Sequence, residues 1–91
     1  MGDLKDKIIL VTGAAGAIGG AASAAIRNAG GTAIATDLAG RAGINMALDV
    51  TAEAQWRGVM DAIEQKQNRL DGLVNAAGIA AVGSIEKTDL E

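Results

Sequence analysis

The residues best placed for chemistry are Thr12-Gly13-Ala14-Ala15-Gly16-Ala17-Ile18-Gly19. They follow directly on the apolar run Ile8-Ile9-Leu10-Val11 and open into an Ala-rich stretch with helical spacing. A strand, a glycine-rich turn and a helix start, in that order, build a cradle for a phosphate group. The first N–H groups of a helix lack intrahelical partners and carry partial positive charge. A turn without bulky side chains lets a pyrophosphate reach them. Alone, such a turn is equally a device for close helix–strand packing with no ligand.

Three further features lie where a dinucleotide would want them. Asp37 closes the second apolar run, eighteen positions after Gly19. A carboxylate at a strand tip accepts hydrogen bonds from both ribose hydroxyls of an adenosine. The same charge repels a 2′-phosphate, so the sequence favours NAD over NADP; Arg41 is the nearest cation in the following loop. Asp49-Val50 ends the third run, where the carboxylate can accept from an adenine amino group and Val50 can offer its backbone. Asp49 is equally readable as a residue that starts the next helix. Asn75-Ala76-Ala77-Gly78 ends the fourth run. Its small residues let a cofactor lie against the backbone, and the Asn amide can tie neighbouring strands.

Composition excludes much other chemistry. The chain has no Tyr, His or Cys, so a disulfide, a zinc site or imidazole catalysis has no residues to work with. Net charge is −3 with no basic cluster, which argues against nucleic acid as a partner. The apolar runs are too short to span a membrane, and the N-terminus lacks the apolar segment of a signal peptide. A cytoplasmic location is expected. Ser23 and Ser84 lack a base to activate them and read as ordinary helix and loop residues. Trp56, the sole aromatic residue, reads as core.

The elements that must position these groups follow from patterning. Lys7–Thr12 reads as a parallel strand buried on both faces. Residues 17–29 read as a helix with Ile18, Ala22, Ala25, Ile26 and Ala29 on its inner face, stopped by Gly30-Gly31. Thr32–Thr36, running to Asp37, is a second strand, and Asn45–Val50 a third. Leu38–Ile44 is too short for a helical crossover, which predicts an irregular link and a poorly covered patch of sheet. Thr51 is predicted to cap a helix over 52–67. Trp56, Val59, Met60, Ile63 and Leu70 form its buried face, and Glu53–Arg57 and Arg57–Asp61 are surface pairs. Gly72–Asn75 is a fourth strand, followed by a loop over Ala76–Gly83 and a helix start at Ser84–Glu91. Alternating strands and helices imply a parallel sheet.

Together these motifs resemble the short-chain dehydrogenase/reductase family. Leu4–Gly13 is similar to that family's opening, Leu48-Asp49-Val50-Thr51 to its third-strand signature, and Leu73–Ile79 to its fourth. The resemblance implies an α/β, Rossmann-like three-layer fold, with a partial doubly wound parallel sheet of about four strands in order 3-2-1-4. Residues 1–91 then form a single dinucleotide-binding domain, part of a longer one. The implied site is Gly13, Ala15, Gly16, Ala17, Ile18, Gly19, Asp37, Leu38, Asp49, Val50, Asn75, Ala76, Ala77 and Gly78, holding NAD. One position departs from the family pattern Thr-Gly-x-x-x-Gly-x-Gly: Ala17 stands where its middle glycine does, with Gly16 one place earlier. In the fourth-strand motif Ala76 replaces a common second Asn.

The family's catalytic Ser, Tyr and Lys correspond to positions beyond Glu91, so no catalytic residue is assigned. The resemblance implies hydride transfer between NAD and an alcohol or carbonyl substrate in a longer parent. The competing expectations are a non-catalytic dinucleotide-binding or self-assembling module, or a turn that binds nothing. An unpaired fourth strand predicts a homo-oligomer.

Overall fold

The computed structural model describes residues 3–77. In chain order the elements are β1 (Ile8–Thr12), α1 (Ala17–Asn28), β2 (Thr32–Asp37), β3 (Met46–Ala47), α2 (Glu53–Gln67) and β4 (Gly72–Asn75). All pairings are parallel and the sheet order is β3-β2-β1-β4. The parallel pairing is what the strand–helix alternation predicts, and the order is the Rossmann-like one that the family resemblance implies. Gly78, the expected loop beyond it and the helix start at Ser84–Glu91 lie outside the described residues. Ala76 and Ala77, expected as loop, have helical backbone.

The apolar run of β1 forms the centre of the sheet because both its faces are covered. Ile8 and Leu10 pack with Ile34, Leu48, Val59 and Ile63, on the α2 side. Val11 packs with Ala14, Ile26, Ala33 and Ala35, on the α1 side. Alternate residues of β1 and β2 thus feed opposite layers, as the period of two requires. On α2 the predicted face is observed: Val59 and Ile63 are buried, with Trp56, Met60 and Leu70 packed beside them. The Trp56 Nε1–H donates to the Val50 carbonyl at 2.7 Å, which satisfies its polar end inside the core. On the surface, Arg57 pairs with Glu53 at 2.9 Å rather than with Asp61.

Three local expectations need correction. The inner face of α1 is Gly19, Ser23 and Ile26, and Ile18 is 51% exposed. The helix meets the sheet through its smallest residue, because Gly19 lies against the turn, and this rotates the apolar stripe away from Ile18. Ser23 is satisfied within the helix by the Gly19 carbonyl at 3.0 Å. The third strand is two residues long instead of six. Asn45 extends its pairing by other means: its Oδ1 accepts from Ala35 N–H and its own N–H donates to the Ala35 carbonyl, both at 2.7 Å. At the far end Asp49 begins a turn, with Ala52 N–H donating to its carbonyl at 2.9 Å.

The third correction concerns Thr51, which does not cap α2. The N-cap is Ala52, without a side-chain cap bond. The Thr51 hydroxyl donates instead to Asp49 Oδ1 at 2.6 Å. The Gln55 side chain reaches back to Asp49 N–H at 2.8 Å, so the helix start is organised around Asp49. At the other helix, Gly31 N–H to Ile26 and Gly30 N–H to Arg27 close α1 in a Schellman motif, as the paired glycines predict.

The link from Leu38 to Asn45 contains turns and no helix, as its length dictates. Ala47, on the sheet face opposite Met46, is exposed. Among the described residues β4 is an edge strand, and Leu73 is 50% exposed there. No helix among the described residues is long and apolar enough to cross a membrane.

Candidate dinucleotide-binding site

Parallel strands point the same way, so Thr12, Asp37, Ala47 and Asn75 end along one edge of the sheet. Chain order reverses between β1 and β4, since β2 lies on one side of β1 and β4 on the other. In open α/β sheets, ligands bind outside the strand ends at such a reversal.

The glycine turn is built by contact as much as by conformation. Gly13 has φ +65°, and a Cβ there would stand 2.6 Å from Ala77 N. At Gly19 a Cβ would stand 2.1 Å from the Gly13 carbonyl oxygen. Glycine at 13 and 19 thus lets turn, helix and β4 exit close on one another. Gly16 differs. It is the N-cap of α1, in extended conformation, and a Cβ there would meet the Gly13 oxygen at an ordinary 3.5 Å. The first intrahelical bond of α1 is Gly20 N–H to the Gly16 carbonyl at 2.8 Å. The preceding amides, Ala17, Ile18 and Gly19, are the helix's unpaired first donors. Ala17 adds only a methyl group on an exposed residue at this point.

The tip of β2 is tied to the turn. Asp37 Oδ2 accepts from Ala15 N–H at 2.9 Å, and Oδ1 from Leu38 N–H at 2.7 Å. Ala14 N–H donates to the Thr36 carbonyl at 2.9 Å. Beyond β3, Asp49 Oδ1 takes both the Thr51 N–H and its hydroxyl. These bonds, the hydroxyl foremost, hold its carboxyl below the usual carboxylate range. Asp49 therefore organises the start of α2 and also lines the cleft described below.

The tip of β4 is tied to β1. The Thr12 hydroxyl donates to Asn75 Oδ1 at 2.7 Å and accepts from Ala77 N–H at 3.4 Å. The Asn side chain thus joins neighbouring strands as its position predicts. Ala76 is buried beneath this junction.

One cleft of about 340 Å³ collects most of these groups. It is lined by Gly13, Gly16, Asp37, Leu38, Arg41, Leu48, Asp49, Val50 and Ala77. Ala15, Ala17, Ile18, Gly19, Asn75 and Ala76 of the predicted set do not line it. Ala15 faces Asp37, Gly19 and Ala76 are buried, and Asn75 braces β1. A larger hollow of about 590 Å³ shares Leu38 and Asp49 with this cleft. Arg41 and Leu48 are additions to the predicted lining. The signal for Arg41 was its place four residues past Asp37, next to a glycine that turns the chain; its N–H donates to the Leu38 carbonyl at 3.2 Å. Among the described residues no cluster of three or more metal-ligating side chains occurs.

A nucleotide-binding α/β domain is the class that this topology and cleft define. Comparison with known proteins gives the family. A family model described as enoyl-(acyl carrier protein) reductase matches residues 13–91. Cyclopentanol dehydrogenase of a Comamonas species is 32% identical over a 105-residue alignment covering 100% of this chain and 42% of the relative. The 3-beta-hydroxysteroid dehydrogenase of Comamonas testosteroni is 36% identical, covering 97% of this chain and 39% of that protein. Among solved structures, ligand-free aldohexose dehydrogenase of Thermoplasma acidophilum matches with a TM-score of 0.65 and 32% identity, over 81% of this chain and 30% of that one. The chain belongs to the short-chain dehydrogenase/reductase family and spans about two fifths of the length of these curated relatives, their N-terminal, cofactor-side portion.

Proposed function

We propose that this chain is the NAD-binding part of a dehydrogenase that moves hydride between NAD and an alcohol or carbonyl substrate. The observation that carries the reading is the single cleft in which Gly13, Gly16, Asp37, Leu38, Asp49, Val50 and Ala77 meet. The residues fit a dinucleotide. Gly16, which lines the cleft as the N-cap of α1, leaves room for the pyrophosphate to reach past the lining to the amides of Ala17 and Ile18 that follow it. Asp37 accepts from the adenosine ribose. Asp49 keeps Oδ2 for the adenine amino group, since both Thr51 bonds go to Oδ1, and Val50 offers its backbone. Ala77, the small residue at the β4 exit that lines the cleft, lets the dinucleotide lie against the backbone. Bound NAD would contribute the hydride carrier. With no Tyr or His in the sequence, the assignment for these residues ends at holding and orienting that carrier.

Charge supports NAD over NADP. At about 4 Å and an effective dielectric near 20, a carboxylate and one phosphate charge repel by about 4 kcal/mol. Arg41 offsets part of this from the same cleft, yet Asp37 is fixed by two backbone N–H groups and cannot swing aside without losing them. Calorimetric titration with both dinucleotides tests the reading. NAD is expected to bind at least tenfold more tightly than NADP. Equal affinities would remove Asp37 from the ribose site, and no heat with either would remove the site.

A second property belongs to the same reading. The half-exposed Leu73 on the β4 edge favours self-association of this chain as a homo-oligomer, and a cysteine-free composition suits a cytoplasmic setting. Sedimentation at micromolar concentration is expected to give a dimer or larger species; a monomer would count against the self-assembling module.

A further inference from the structure

Asp37 stands between the ribose end and the phosphate end of the cleft. Consecutive amides of the glycine turn are held by consecutive residues at the β2 tip. Ala14 N–H goes to the Thr36 carbonyl and Ala15 N–H to Asp37 Oδ2, each at 2.9 Å. The first bond is backbone to backbone and is independent of the side chain at 37. The second rests wholly on the carboxylate. Gly16 N–H then returns to the Gly13 carbonyl at 3.1 Å, and the Gly16 carbonyl receives the first helical bond of α1. The orientation of the Ala15 peptide therefore feeds directly into the helix's first turn.

An ionised carboxylate offers about four lone-pair sites on its two oxygens. Ala15 and Leu38 occupy one on each oxygen. One remains on each, so the bond to the turn and a two-hydroxyl contact with ribose are compatible.

We propose that Asp37 is a positioning residue for the phosphate turn in addition to its ribose contact. Through Oδ2 it fixes the Ala15 peptide and with it the shape that presents the first amides of α1 to a pyrophosphate. This inference rests on the dinucleotide reading above. It has an unusual consequence: Asp37 contributes to binding a part of the ligand that it does not touch. Simple charge predicts the opposite sign, because removing a carboxylate near a pyrophosphate should tighten anion binding.

The signs can be separated with the 91-residue chain, its Asp37→Ala variant, NAD, and an NAD analogue lacking both hydroxyls of the adenosine ribose. The analogue cannot report the ribose contact. Asp37→Ala is expected to weaken the analogue about three- to tenfold, as well as weakening NAD. An analogue that binds the variant equally or more tightly would overturn the proposal. Amide hydrogen exchange in the ligand-free wild type supplies a measurement with no folding risk. The Ala15 amide, on an exposed residue, is expected to be protected, and its exchange at ambient rates would also overturn the proposal. If the wild type failed to bind NAD, the dinucleotide reading would fall, while Ala15 exchange would still decide whether Asp37 holds the turn.

Discussion

Adding one methyl group at Gly19 tests how the turn is built. The new Cβ would stand 2.1 Å from the Gly13 carbonyl oxygen, 2.6 Å from its carbon and 2.8 Å from Ala14 Cα. All three are backbone atoms, so no side chain can rotate away. Real Cβ atoms essentially never come closer than 3.0 Å to a neighbour. Either α1 or the turn must therefore move by close to an ångström. Overpacking of this kind costs about 3 kcal/mol. Replacing Gly by Ala inside a helix returns about 1 kcal/mol. The balance is a loss of about 2 kcal/mol, or a fall in Tm of roughly 8–16 °C for a domain of this size.

The paired control is Gly16→Ala, where the contact is an ordinary 3.5 Å and the backbone is extended. That variant loses about 0.5–1 kcal/mol, because Ala is a poorer N-cap than Gly. Thermal unfolding followed by circular dichroism reads both, and titration with NAD reads the site. Gly19→Ala is expected to lose both stability and binding. Gly16→Ala is expected to keep its fold and to lose affinity only through the methyl group added to the cleft. A Gly19→Ala protein with unchanged Tm and unchanged NAD affinity would refute the packing argument.

Asp37→Ala should weaken NAD by about tenfold or more, since a hydrogen bond to a charged group contributes roughly 1.5–3 kcal/mol; calorimetry measures it. Asp71 accepts from Ile8 N–H at 2.7 Å and from the Arg69 guanidinium at 2.8 Å. The Arg69 hydrogen bond first, and the Ile8 amide second, hold its carboxyl below its ordinary value. A lowered native pKa adds stability above the unfolded value of about 3.9 and loses it as pH falls through the native one. Asp71→Asn should therefore be less stable than wild type at neutral pH, with the gap closing below about pH 4 in denaturant melts. Trp56→Phe keeps most of the apolar contact but leaves the Val50 carbonyl without its indole donor. It should cost about 1 kcal/mol, read by circular dichroism because the chain's only indole has gone.

The parallel α/β layout was legible because it follows from long-range regularities, and the ordered motifs carried the family resemblance that implied the sheet order. An apolar run, a glycine turn, an Ala-rich helix and an acidic strand tip leave few arrangements open. α2 was legible for the same reason: Trp56, Val59, Met60 and Ile63 recur at helical spacing, and that face packs on the core. The errors are local and share a cause. The inner face of α1 follows from the closest approach of backbones, which hydrophobicity does not measure, so Gly19 displaced Ile18. The end of the third strand and the start of α2 follow from side chains that bond to nearby backbone, at Asn45, Asp49 and Gln55. Such bonds compete with regular pairing, and residue type alone does not choose between the options. For the same reason the sequence suggested Asp37 as a ribose acceptor but carried no sign of its bond to Ala15, which depends on how β2 ends beside the turn.

The central claim is that the C-terminal edge of β1, β2 and β4, with the segment after β3, holds a dinucleotide. An amide ¹H–¹⁵N map of the chain, recorded through a titration with NAD, tests it most directly. The predicted shifts cluster at Gly13–Gly19, Asp37–Leu38, Asp49–Val50 and Asn75–Ala77, with the C-terminal turn of α2 at Lys66–Asn68 unmoved. A titration that leaves the glycine turn unchanged, or that moves only Asn68, Arg69 and Leu70 at the C-terminal end of α2, would contradict it.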